Sequence, residues 1–66
     1  MKVYGIYKEV FPDSGALFHV LYKSRRDASK QVDKEMKHIG GLWQKANKDT
    51  WAGGNTIIEI QEFTVV

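Results

Sequence analysis

The order and periodicity of apolar residues in this chain predict an α+β domain, a small antiparallel sheet with one helix packed on one face. Three observations carry that reading. Two β-rich runs flank a turn at Pro12–Gly15, a helical stripe occupies the middle of the chain, and a long β-run ends it. The predicted order is β-β-α-β-β, the third strand being weakly patterned.

From Lys2 to Phe11 the chain is rich in Val, Tyr, Ile and Phe, residues suited to a pleated, half-buried surface. Pro12-Asp13-Ser14-Gly15 follows as a turn: proline pre-sets its φ, Asp and Ser bond their own backbone, and glycine accepts a positive φ. Ala16 to Tyr22 is the second β-run, so the first 22 residues read as a hairpin.

Ser24 opens the helix, with Asp27 three residues on forming a short-armed capping box. Ala28, Val32, Met36 and Ile39 recur at spacings of four, four and three, which sets them on one stripe. Gly40-Gly41 closes the helix, one glycine being free to take the left-handed cap. Leu42 to Asn47 is the weakly patterned third strand. Trp51-Ala52-Gly53-Gly54-Asn55 reads as a strand end and a turn. Thr56 to Val66 is the last β-run, and its alternation changes phase between Ile58/Ile60 and Phe63/Val65. A β-bulge near Gln61 or Glu62 would bring all four to one face.

The 66 residues make a single domain, 1–66, with a core that is thin by nature. Domains of this size are commonly secured by disulfides, a metal or a partner. There is no cysteine, which excludes disulfides and thiolate metal cages, so packing or self-association as a homodimer is left. No stretch approaches the apolar run of a membrane helix, and no apolar segment follows Lys2 as a secretory signal requires. The cytoplasm is the expected compartment.

The features noted so far resemble a group of short phage-encoded proteins of unassigned function. The likeness rests on Lys2-Val3-Tyr4-Gly5-Ile6-Tyr7, on the helix start Ser24-Arg25-Arg26-Asp27-Ala28 after a hairpin, and on Ile58-Glu59-Ile60-Gln61-Glu62-Phe63-Thr64-Val65. It spans most of the chain through fold features and transfers no site residue. What it implies is an accessory protein of a phage or mobile element, a class that includes anti-defence inhibitors, acting in the host cytoplasm.

Charge is laid out unevenly. Lys23 to Lys48 holds eight basic and three acidic residues, a local balance of +5 within a total of +2. Arg26, Lys30, Lys34 and Lys37 fall on one helical face, away from the apolar stripe. Such a ridge suits a phosphate backbone or an acidic protein groove. The competing reading is a solvated face with Asp33 and Lys37 paired, and the abundance of exposed lysine on helix surfaces favours it.

Trp43 and Trp51 bracket the least regular segment and are the candidate partner-binding residues, with caps on the core as the alternative. Tyr4, Tyr7, Phe18 and Tyr22 could stack on bases, but no RNP-type motif accompanies them and the core needs them. His19 and His38 lack neighbours at triad or metal spacing. Gly53-Gly54-Asn55 lacks the Lys-Ser/Thr and helix of a phosphate loop. No catalytic residue, metal ligand or cofactor is expected. The chain reads as a binding protein that inhibits or modulates a host protein or nucleoprotein complex. The alternatives are weak nucleic-acid binding through the ridge, or structural self-assembly.

Overall fold

The computed structural model describes residues 1–12 and 15–66. Its elements are β1 (Lys2–Val10), β2 (Ala16–Tyr22), α1 (Arg25–Ile39), β3 (Gln44–Asn47), β4 (Thr50–Gly53) and β5 (Thr56–Thr64). One antiparallel sheet holds the strands in the order β2-β1-β5-β4-β3, with α1 against one face. The α+β class is therefore as the sequence predicts. Of the predicted first turn, Asp13 and Ser14 lie outside the described residues.

The helix forms where its period and caps place it. Ser24 is extended (φ −135°, ψ 150°), and its Oγ accepts the Asp27 N–H at 3.1 Å. At the other end Gly40 takes φ 80°, and its N–H donates to the Met36 carbonyl at 2.8 Å. Asp27 in the first turn and Lys37 and His38 in the last match the sign of the helix dipole.

Long pairing between β1 and β5 fixes which side chains meet α1. Their register runs unbroken from Lys2↔Thr64 to Val10↔Thr56. Ile6 and Ile60 stand opposite each other on the helix side, as do Lys8 and Ile58. There they join Ala28, Val32 and Trp51 in the core cluster, with Tyr4, Phe18, Tyr22, Met36 and Trp43 packed around it. Ile6, Ala28, Val32 and Ile58 are fully excluded from solvent. The stripe thins toward its end, since Ile39 is exposed beyond the sheet's cover.

Two expectations are corrected. No bulge interrupts β5 at Gln61 or Glu62, so Phe63 faces away from α1 while Ile58 and Ile60 face it. The sheet tolerates this because apolar residues lie on both of its faces; the bulges occur instead between β1 and β2 and between β3 and β4. The segment from Leu42 to Gly53 also holds two strands, β3 and β4, rather than one. Their connection is Lys48-Asp49, where the Asp49 N–H donates to Asn47 Oδ1 at 2.9 Å.

Charged contacts lock the helix start to the sheet. Arg25 Nε lies 3.0 Å from Asp49 Oδ1, and Nη2 lies 3.7 Å from Glu62 Oε1. Its guanidinium also sits 5.3 Å from the Tyr4 ring centroid. The Nε and Oδ1 atoms are shielded from water without an aligned hydrogen bond, so charge holds that contact. One turn from the helix end, Lys8 Nζ reaches Glu35 Oε1 at 3.0 Å. Among the described residues no helix is long and apolar enough to cross a membrane.

Val32 is fully buried against both central strands, so Val32→Asp is expected to unfold the domain. An unpaired buried charge costs several kcal/mol, comparable with the whole stability of a 66-residue domain, about 3–10 kcal/mol at 0.05–0.15 kcal/mol per residue. A mutant melting like the wild type, followed by circular dichroism, would refute this seating of α1.

Candidate functional site

The helix face turned away from the sheet presents Arg26, Lys30, Lys34 and Lys37, all exposed. Their period sets them within one arc opposite Ala28 and Val32, and the row rises roughly 16 Å at 1.5 Å per residue. Among the described residues none of the four enters an ion pair. Asp33 borders the row without approaching Lys37 to bonding distance, so the i, i+4 pair is not made.

Four cations elsewhere are engaged, while Lys23 and Lys48 are exposed like the ridge. Lys2 pairs with Glu62 at 3.4 Å, Lys8 with Glu35, and Arg25 with Asp49 and Glu62. Lys45 lies 5.4 Å from the Trp51 ring centroid. Each of these sits on or beside the sheet, where carboxylates or aromatic faces are within reach. The ridge is out of reach of them, which is why its charge stays available.

At its C-terminal end the ridge runs into a shallow cleft of about 270 Å³, lined by Asp33, Met36, Lys37, Gly40, Gly41 and Trp43. Trp43 forms its far wall. The indole N–H donates to the Gly40 carbonyl at 3.1 Å, and the ring packs close against Gly53 of β4. A Cβ at Gly53 would come 2.6 Å from the Trp43 ring, so only glycine allows the indole to close down there. Trp43 is half-buried, with one side in the cleft.

Trp51 behaves differently. The expectation that it faces a partner is corrected: it is 8% exposed and belongs to the core cluster. Its place in β4 opposite Ile58 turns the ring toward α1. Met36 and Asp33 were not singled out by sequence as site residues. Met36 reads as core from its stripe position, and only the approach of Trp43 makes its edge a cleft wall.

The sheet face away from α1 carries Val3, Gly5, Tyr7 and Glu9 of β1 beside Ile57, Glu59, Gln61 and Phe63 of β5. Tyr7 donates to Glu9 Oε1 at 3.2 Å, and Gln61 Nε2 donates to Glu59 Oε1 at 2.9 Å. Desolvation raises the Tyr7 hydroxyl above the usual tyrosine value, helped by that bond and by the charges of Glu9 and Glu59. His19 and His38 are exposed. Among the described residues no three of His, Cys, Asp and Glu cluster as metal ligands. Glu59 and Glu62, three apart in β5, face opposite sides of the sheet.

Comparison with protein-family models, with curated proteins and with solved structures gives no match to this chain.

The two tryptophans should separate cleanly on truncation. Trp51→Ala is expected to lose roughly 3–5 kcal/mol of stability, the usual cost of emptying a core aromatic site. Trp43→Ala should stay folded, because one side of its ring is already open. Urea melts of both mutants decide the matter: equal destabilisation would place Trp43 in the core.

Proposed function

We propose that this chain is a non-catalytic binding protein that grips an acidic protein or nucleoprotein surface along the outer face of α1. What supports the reading is the unneutralised row Arg26, Lys30, Lys34 and Lys37, leading into a cleft walled by Met36 and Trp43. The row supplies long-range attraction, and the cleft takes an apolar side chain at its end. A row of cations held on a helix anchored to the sheet loses little freedom on binding, which favours affinity.

A protein component is favoured over bare nucleic acid by Asp33. Asp33 lines the cleft beside Met36 and Trp43, so the group that seats there is an uncharged apolar side chain, which a protein supplies, and the partner's anionic groups lie along the ridge. The finer form of the reading rests on the resemblance read in the sequence alone. In that form the chain is an accessory protein of a phage or mobile element, inhibiting or modulating a host defence or nucleic-acid-handling complex in the host cytoplasm.

Tagged protein incubated with host lysate should retain a protein band after nuclease treatment. Replacing Arg26, Lys30 and Lys37 together with alanine should abolish that band while changing stability by no more than about 0.5 kcal/mol per exposed site. Retention lost on nuclease treatment alone would favour the nucleic-acid reading. Affinity would then fall linearly with the logarithm of salt, and the triple substitution would flatten the slope. Binding untouched by the substitution would remove the ridge from the site.

A further inference from the structure

The sheet face turned away from α1 has no layer over it, and it is apolar at both ends. At one end Val3 stands opposite Phe63, and Leu21 opposite Gly5. A Cβ at Gly5 would meet Phe63, Leu21 and Leu17 at 3.0, 3.2 and 3.4 Å, so these side chains already converge above the glycine. At the other end Phe11, Ala52 and Ile57 line an open groove of about 420 Å³, with Glu9 on its wall. Phe11 is 74% exposed, Leu21 53% and Ile57 43%. Between the two ends lies an acidic band. Glu59 stands opposite Tyr7, and the next pair on the same face is Glu9 with Ile57.

We propose that this face is a second docking surface, whose occupant is a protein segment carrying a lysine or arginine between apolar side chains. Charge complementarity selects the cation. Among the described residues neither Glu9 nor Glu59 enters an ion pair. No Lys or Arg stands among the residues that the register places on this face. Tyr7 and Gln61 each donate to one oxygen of a carboxylate, which leaves the second oxygen of Glu9 and of Glu59 to accept from a cation.

The same charges exclude the other occupants. A nucleic acid or an anionic lipid surface would bring phosphate onto two carboxylates. A second copy laid face to face would set Glu9 and Glu59 against their own counterparts, and like charges so placed cost affinity. The ridge of a second copy brings cations alone, because Ala28 and Val32 between them are buried against its own sheet, and the apolar ends would stay uncovered. Size selects a protein over a small ligand. Ile57 and Phe63 lie about 20 Å apart along β5 at roughly 3.3 Å per residue, so one small molecule in the groove does not reach both. The molecule measures 36 × 22 × 20 Å, so the face spans roughly 700–800 Å², close to the roughly 800 Å² per partner of a standard protein interface.

A random-peptide display library is the probe. The bait is the chain with Arg26, Lys30 and Lys37 replaced by alanine, so that the ridge contributes nothing to selection. Enriched peptides should carry Lys or Arg flanked by apolar residues. One of them, synthesised, should shift the amide NMR signals of Gly5, Tyr7 and Ile57 in the wild-type chain and leave that of Lys30 in place. Glu9→Gln with Glu59→Gln keeps side-chain size and an accepting oxygen at each site, so circular dichroism should be unchanged. The pair should weaken the peptide about tenfold, the loss of two partly exposed ion pairs. Leu21→Ser, at a half-exposed site, is a second variant that should weaken the same peptide. Enrichment of acidic or uncharged peptides, or of none, overturns the proposal, as does an affinity indifferent to the two glutamines. Wild-type self-association in sedimentation that Leu21→Ser abolishes would put a second copy on this face and overturn it too. Because the bait lacks the ridge, the reading of α1 as a grip for an acidic partner stands or falls separately.

Discussion

The contact of Ala28 and Val32 with Ile6 and Ile58 governs the rest of the molecule, because among the described residues these four are the side chains fully excluded from water. One fifteen-residue helix supplies half of that contact, and it can cover only one face of a five-stranded sheet. Everything else follows from this shortage of cover. Trp51 is drawn inward to fill the end of the core, and Ile39, past the sheet's edge, is left exposed. The opposite face must manage with in-plane neighbours. There Phe63 lies over Gly5, and Tyr7 and Gln61 bond to Glu9 and Glu59.

The same shortage sorts the charges. Arg25 and Lys8 are near enough to the sheet to be drawn to carboxylates and aromatic faces on it. Individually such half-exposed pairs are weak, about 0–1 kcal/mol. Together they fix the rotation of α1, since Arg25 reaches β1, β5 and the β3–β4 connection at once. A helix held at that rotation must turn Arg26, Lys30, Lys34 and Lys37 outward. The ridge is thus a consequence of how the core and its charged margin seat the helix.

Much of this is legible in the residues. The 3.6-residue period of Ala28, Val32 and Met36, with Ser24 before and Gly40 after, places the helix and its ridge without knowledge of tertiary structure. The β3–β4 hairpin is not legible in the same way. Its strands are four residues long, its connection Lys48-Asp49 contains no glycine, and its pairing is stabilised by contacts made elsewhere. Asp49 is engaged by Arg25, and its carbonyl accepts the Ile60 N–H at 2.8 Å. Those partners are more than ten residues away, so local propensity does not register them. The cleft at Trp43 is hidden for a related reason. It exists because Gly53, ten residues further on, leaves room for the indole. The phase change in the last strand was visible, but whether a bulge corrects it depends on whether the second face also holds apolar residues.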